Sequence, residues 1–352
     1  MLALFGTLSA QKTENVILIT FDGLRWQELF FGADSLLIDD SGYVEKPEGL
    51  VEDYWHTDYQ KRREMLMPFF WNTIAKEGQL YGNRTLGSKV NCSNQMWFSY
   101  PGYNEILCGF ADDERINSND KLPNPNVTVL EYLNSQKKYK DQVYAFGSWD
   151  VFDYIINEQR SGIPVNNGFE KATGDLTEIE KFLNKIQDEV RSPWGSVRED
   201  VFTHHYAMEC LKKEKPKVLY ISYGETDDYA HNGKYDQYLW SATQTDAYIR
   251  EIWDWVQSTP EYKNKTTLII STDHGRGTQP KDTWRSHGTK IANADQIWIA
   301  VMGPDTPSTG VIKSDKQYYQ NQIANTVAGF LGENYKESKA GKPITEATKY
   351  AQ

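Results

Sequence analysis

Five short apolar runs, rich in β-branched residues, recur at wide intervals along the chain: NVILITF (15–21), QVYAFGS (142–148), KVLYISY (217–223), TTLIIST (266–272) and QIWIAVM (296–302). Each is apolar nearly throughout, the pattern of a strand covered on both faces. Between them lie stretches with apolar residues three and four apart, notably KRREMLMPFFWNTIAKEG (61–78) and DQYLWSATQTDAYIREIWDWVQS (236–258), which predict helices. Strands alternating with helices give an α/β fold, a three-layer sandwich around a largely parallel central sheet. There is no internal repeat or long Gly/Ser linker. Segments 34–60 and 155–200 are polar, aromatic-rich and expected to be irregular. They read as insertions in a single domain over 11–352.

The residues that follow the runs carry the chemistry. NVILITF leads into Asp22 and Gly23, KVLYISY into GETDDYAH with Asp227, Asp228 and His231, and TTLIIST into Asp273 and His274. A little further on, WRSHG supplies His287. In a parallel sheet such exits share one edge, where α/β folds place their sites. Carboxylate oxygen and neutral imidazole nitrogen are the usual non-thiolate ligands of zinc, with Mn2+ as the hard-ligand alternative. A dication also offsets the cost of burying carboxylates, which is severe when they stand unpaired. Singly, each piece has an ordinary explanation: Asp22 as a cap or turn residue, Asp227 and His231 as an i, i+4 surface pair. Three exits of one kind together point to metal. His204 and His205, in VFTHHYAMECL, read as helix residues without a role, and His56 has none assigned.

NQMWFSYPGYNEILCGF (94–110) offers a nucleophile. Pro101 is tolerated in a helix's first turn, so Ser99 falls at or beside the N-cap. Free N–H groups and the positive end of the dipole favour an anion there. The plain alternative is a capping serine. A serine hydroxyl attacks poorly at neutral pH until a base or a metal activates it.

Composition narrows the class. The 38 Lys+Arg against 49 Asp+Glu leave a net charge of −11, which argues against tracking a nucleic-acid duplex. A small anionic substrate stays open, because local cations can reverse the field inside one cleft. The start, MLALFGTLSA (1–10), reads as a remnant of an export signal, short and without a basic n-region. That reading places the protein in the periplasm or outside the cell; a plain frayed terminus is the alternative. No other run approaches the ~18 apolar residues of a membrane span. Cys92 and Cys108 can pair if the protein is exported, leaving Cys210 free; three small buried hydrophobes explain the cysteines as well.

With these residues in place, the chain resembles the alkaline phosphatase superfamily, in its nucleotide pyrophosphatase/phosphodiesterase-like branch. VILITFDGLRWQEL is similar to that branch's first metal loop, and SYPGYNEILCG to its Thr-x-Pro-Asn-His…Gly nucleophile segment. ETDDYAH is similar to Glu-Pro-Asp-x-x-Gly-His, STDHG to its Asp-His-Gly block, and SHG to the final histidine. The blocks keep the family's order from about residue 15 to 302. The resemblance implies two divalent ions, zinc foremost, and a covalent phosphoserine on Ser99. It puts Asp22, Ser99, Asp273 and His274 around one ion and Asp227, His231 and His287 around the other. Asp227 is preferred to Asp228 because it keeps four residues to His231.

The departures bear on substrate. Gly102 and Tyr103 stand where the branch has Asn-His, so the donor to the transferred group must come from elsewhere; Arg276 is one candidate, a solvent-facing arginine the plainer view. The superfamily's sulfatases carry Cys- or Ser-x-Pro-x-Arg, and SYPGY lacks that arginine, which demotes the sulfatase reading. The implied activity is therefore hydrolysis of a small phosphoric mono- or diester, a nucleotide or aryl ester among them, with Trp26, Trp97, Tyr100 and Tyr103 available for stacking. Two alternatives stand beside it. One is a phosphomutase, which would release little phosphate. The other is a metal-containing binding protein, which would have no use for Ser99.

Overall fold

The computed structural model describes residues 11–348; the apolar start read as a signal remnant lies outside them. Eleven strands form among the described residues: β1 (Asn15–Phe21), β2 (Gln79–Tyr81), β3 (Lys89–Asn91), β4 (Val143–Gly147), β5 (Val165–Asn167), β6 (Val218–Tyr223), β7 (Thr266–Thr272), β8 (Gln296–Ile297), β9 (Ile299–Met302), β10 (Gly310–Val311) and β11 (Gln317–Tyr319). Eight make one sheet in the order β10-β2-β9-β7-β1-β6-β4-β5, and β11-β3-β8 make a small second one. Neighbours from β7 across to β5 are parallel, while β9 runs antiparallel to both β7 and β2.

The near-continuous apolar runs reflect burial on both sides. Along β1, Ile17, Ile19 and Phe21 enter one core, and Val16 and Leu18 enter the other. β6 divides alike, Leu219, Ile221 and Tyr223 against Val218 and Tyr220. The helix Tyr235–Ser258 covers the first face through Tyr238, Leu239, Ile249 and Ile252, joined by Phe202 and Tyr206 of the helix Asp200–Lys213. The helices Ser99–Cys108 and Ile323–Phe330 cover the second. The result is the expected three-layer α/β arrangement.

Five local expectations need correction. The helix predicted over 61–78 ends at Leu66 and resumes as a π-turn over Phe70–Ile74. Pro68 has no N–H to continue the ladder, and the Asp246 carboxylate takes the freed N–H groups of Phe69 and Phe70 at 2.8 and 2.9 Å. The run 296–302 divides at Trp298 into strands of different sheets, β8 and β9. The Trp298 indole packs edge-on against Phe21 and Phe70 and donates to the Leu24 carbonyl. Segment 155–200 is not irregular: it supplies the edge strand β5 and a helix, Glu178–Glu189, entered through a Thr177–Glu180 capping box. Segment 34–60 likewise holds the helix Pro47–Tyr54, whose Leu50 and Tyr54 join the core. All three cysteines are buried and free, so Cys92 and Cys108 do not pair.

The helix Ser99–Cys108 lies hard against the end of β7. A Cβ at Gly102 would stand 2.3 Å from the Asp273 carbonyl oxygen. Only glycine permits that approach, so Gly102→Ala should push the first turn off the strand end. The expected cost is about 1–3 kcal/mol, read as a lowered urea midpoint with unchanged slope; an unshifted midpoint would show that the packing is looser than this.

Candidate functional site

Adjacent parallel strands deliver the acidic exits together. β7, β1 and β6 are consecutive in the sheet, and Asp273, Asp22 and the helix Glu225–His231 follow their carboxyl ends. The first consequence is a crowd around one imidazole. His274 Nε2 lies 3.3 Å from Asp22 Oδ1, 3.5 Å from Asp273 Oδ2 and 3.7 Å from Asp227 Oδ1. A second group forms beside it: His231 Nε2 is 3.2 Å from Asp227 Oδ2, His287 Nε2 is 3.6 Å from Asp227 Oδ1, and the two histidine nitrogens face each other at 2.9 Å. The rings of His274 and His287 stack with centroids 3.9 Å apart. Asp22, Asp227, His231, Asp273, His274 and His287 are thus brought to one place.

The hydrogen bonds show which atoms are kept free. His274 Nδ1 pairs with the Gly275 carbonyl at 3.0 Å and His287 Nδ1 with the Trp97 carbonyl at 3.2 Å. A backbone carbonyl can only accept, so both rings carry a proton on Nδ1 and turn Nε2 inward, the atom that binds a cation once any second proton is lost. Asp22 gives Oδ2 to the Tyr103 hydroxyl at 2.9 Å, and Asp273 gives Oδ1 to the Gly23 and His274 N–H groups. What remains is Asp22 Oδ1, Asp273 Oδ2 and His274 Nε2, all buried and without a hydrogen-bond partner. Three converging acceptors left unpaired in a buried site are costly unless a cation fills the gap. Asp22, Asp273 and His274 form one set whose ligand atoms lie within 4.8 Å of one another, and Asp227, His274 and His287 form another. The donor set fits zinc or manganese.

Electrostatics agree with that fit. Burial, then the Asp22 charge, pushes the Asp273 carboxyl well above the usual carboxylate range. Burial opposes charge on His274, but Asp273 and Asp22 outweigh it and carry its pKa up to about 9. Burial, helped by the His274 charge, drives His231 and His287 down, which keeps them neutral and ready to ligate. Asp228 makes no ion pair with the histidines among the described residues, unlike Asp227.

Ser99 opens its helix, with Phe98 as the N-cap. The hydroxyl has no hydrogen-bond partner among the described residues, although Ser99 is 5% exposed. Its neighbours fix its place: the Trp97 carbonyl meets His287, Gly102 abuts Asp273, and Tyr103 holds Asp22. The helix terminus is a narrower anion site than expected. Pro101 lacks an N–H, and the Tyr100 N–H bonds Asn119 Oδ1 at 3.0 Å.

Several roles differ from expectation. Arg276 is not solvent-facing: it is 1% exposed. It pairs with Asp227 and bonds the carbonyls of Gly23 and Arg285, so its donors are already committed. Tyr103 and Tyr100 are buried, with hydroxyls on Asp22 and the Leu122 carbonyl, and cannot stack on a substrate. Trp26 donates to Gln296 and packs against Phe31. His204 is fully buried between Tyr223 and Glu251. Asn119 was not anticipated from sequence. Its Oδ1 is anchored beside Ser99, and its amide nitrogen has no partner among the described residues. An exposed asparagine twenty positions from the serine carries no local signal of this.

Comparison with known proteins follows the same lines. Residues 14–333 match the family described as Sulfatase, so the missing arginine does not set the sulfatases aside as kin. No curated protein matches the sequence. Alkaline phosphatase PafA superposes with a TM-score of 0.61 at 10% identity, covering 97% of this chain and 100% of that one. The lipoteichoic acid synthase LtaP from Listeria monocytogenes gives 0.62 at 10% identity, over 96% and 76% of the two chains. The phosphonate monoester hydrolase SpPMH from Silicibacter pomeroyi gives 0.57 at 12%, over 94% and 76%. These likenesses establish the alkaline phosphatase-like fold.

Two measurements test the site. Tyr103→Phe frees Asp22 Oδ2 and should weaken zinc binding about 10–100-fold; parental affinity would show that the hydroxyl does not orient Asp22. His274 carries a proton below about pH 9 that a cation must displace. Apparent zinc affinity should therefore rise with pH up to about 9, with proton release on binding at pH 7.5. Calorimetry in buffers of different ionisation enthalpy reads this directly, and binding without proton release would contradict it.

Proposed function

The chain belongs to the Sulfatase family, within a superfamily of hydrolases of phosphate and sulfate esters, and we propose that it is a two-metal phosphoric ester hydrolase with Ser99 as nucleophile. The carrying observation is the trio of buried, unpartnered acceptors, Asp22 Oδ1, Asp273 Oδ2 and His274 Nε2, next to the helix that Ser99 begins. Asp22, Asp273 and His274 would hold one zinc ion with Ser99, and Asp227, His231 and His287 the other. When bound, such ions supply positive charge to the transferred group and ease ionisation of a nearby hydroxyl.

The chain's own residues supply the rest. Ser99 Oγ attacks phosphorus, the ester oxygen leaves, and water then hydrolyses the phosphoserine. Tyr103 keeps Asp22 in register, and the carbonyls of Gly275 and Trp97 hold His274 and His287 in one tautomer. Asn119, anchored through Oδ1, offers its amide N–H groups to a phosphoryl oxygen, the part left open by Gly102 and Tyr103. Phosphorus is preferred over sulfur because Tyr103 stands where the sulfatase segment has arginine, so Ser99 remains a hydroxyl. The family match makes a sulfate ester the second reading. The small-molecule substrate and export from the cell belong to the same proposal.

Rates on para-nitrophenyl phosphate, its bis ester and para-nitrophenyl sulfate, with zinc content measured in parallel, test this. We expect turnover of a phosphate ester and two zinc ions per chain. Ser99→Ala should cut turnover on the order of a thousandfold or more while the metals stay bound. Sulfate turnover alone would transfer the assignment to sulfur. A Ser99→Ala protein at the parental rate would remove the nucleophile.

A further inference from the structure

Less than two turns beyond Ser99, the same helix carries a carboxylate that the reaction above does not use. Glu105 is wholly buried and has no Lys, Arg or His partner among the described residues. It instead gathers five hydrogen bonds from one turn of the preceding loop. Ser93 N donates to both oxygens at 2.8 and 3.0 Å, Ser93 Oγ to Oε1 at 2.7 Å, and Asn94 N and Nδ2 to Oε2 at 2.8 and 2.7 Å. Bonds to an ionised acceptor are the strong kind, and five of them define the turn's position.

The chain of contacts continues to the site. Asn94, also fully buried, turns its Oδ1 to the N–H groups of Met96 and Trp97 at 3.1 and 2.9 Å. Trp97 is thereby held at φ 52, a left-handed conformation that residues with a side chain adopt only when their surroundings impose it. From that conformation its carbonyl meets His287 Nδ1 at 3.2 Å. Phe98 then caps the helix and Ser99 begins it.

We propose that Glu105 is a positioning residue: through Asn94 and Trp97 it sets both where the Ser99 oxygen stands and which nitrogen of His287 is left bare. The inference rests on reading Ser99 as nucleophile and His287 as metal ligand. A carboxylate is required, because an amide at this place would set its own N–H groups against those of Ser93 or Asn94. A clamp that served stability alone would leave metal affinity and turnover of the folded protein untouched, which separates the two roles.

The test compares the full chain with Glu105→Gln, Asn94→Ala and the double variant, each well below its unfolding temperature by circular dichroism. Zinc is titrated against a chromophoric chelator, and steady-state rates are taken on the ester that the parent hydrolyses. Each single variant should lose about tenfold or more in affinity for the zinc ion that His287 would hold. kcat should fall by a similar factor with little change in KM. The double variant should be no worse than the worse single, since both cut one chain of contacts. Parental zinc affinities and kcat in folded Glu105→Gln, or additive losses in the double variant, would overturn the proposal. If Glu105→Gln does not fold, Asn94→Ala decides: loss at one zinc supports the role, and parental behaviour overturns it. A parent that binds no zinc and turns nothing over would overturn the functional reading as well, which a failure of the variants alone would not.

Discussion

The structure is organised around one electrostatic problem: Asp22, Asp227 and Asp273 meet at the mouth of a sheet that excludes water from two of them. Asp273 is fully buried and Asp22 nearly so, and unpaired carboxylates in such a place are strongly disfavoured. Among the described residues, one arginine or lysine pairs directly with these carboxylates. Arg276 reaches Asp227 from within the same loop as His274, and that accounts for one carboxylate of three. His274 answers the remaining pair only by taking a proton, which is why its pKa rises despite complete burial. What is left is a set of converging ligand atoms that a divalent cation would satisfy.

The sheet order makes that convergence unavoidable. Adjacent strands lie about 4.8 Å apart, so the ends of three consecutive parallel strands span roughly 10 Å. β7, β1 and β6 are such a trio, in matched register from Val16 to Phe21 of the middle strand. Residues one or two positions past each strand therefore cannot be far apart, however distant they are in sequence. The second layer then brings Ser99, the proposed nucleophile. Gly102 lets the helix Ser99–Cys108 approach Asp273, and Tyr103, one position on, reaches Asp22 and the Ser222 hydroxyl. The loops are further tied across the top, Arg25 to the Gly277 carbonyl and Thr226 to the Asp22 carbonyl.

What was legible in the sequence follows from the same physics. Strands buried on both faces must be apolar throughout, so β1, β6 and β7 stand out, and an Asp or His directly after such a run is conspicuous. The supporting residues leave no comparable trace. Tyr103 reads as one more aromatic residue until the fold places it 81 positions from its partner Asp22. Arg276 reads as a surface charge because its two strongest ties, to Gly23 and Asp227, run to other loops. The helix over 61–78 was overextended because apolar spacing continues through Pro68, and only the remote Asp246 shows how the break is satisfied. Periodicity reports burial of a residue's own element, and it is silent about hydrogen bonds between elements.

The beginning of the Ser99 helix shows how far the site leans on bound cations. A helix N-terminus ordinarily presents several free N–H groups to an anion. Here Pro101 has removed one and Asn119 has taken that of Tyr100. The Phe98 and Ser99 N–H groups are left without a partner among the described residues, too few to meet the charge that the proposed hydrolysis would build on the transferred group. Asn119 returns part of what it occupies, since anchoring Oδ1 on the backbone turns its amide donors outward. Under the proposed reaction the remainder has to come from the carboxylate and imidazole cluster, and a cluster with three acidic members would attract an anionic ester only when dications have reversed its sign. The same buried acceptors that make the empty site costly are therefore what make the filled site able to receive an anion.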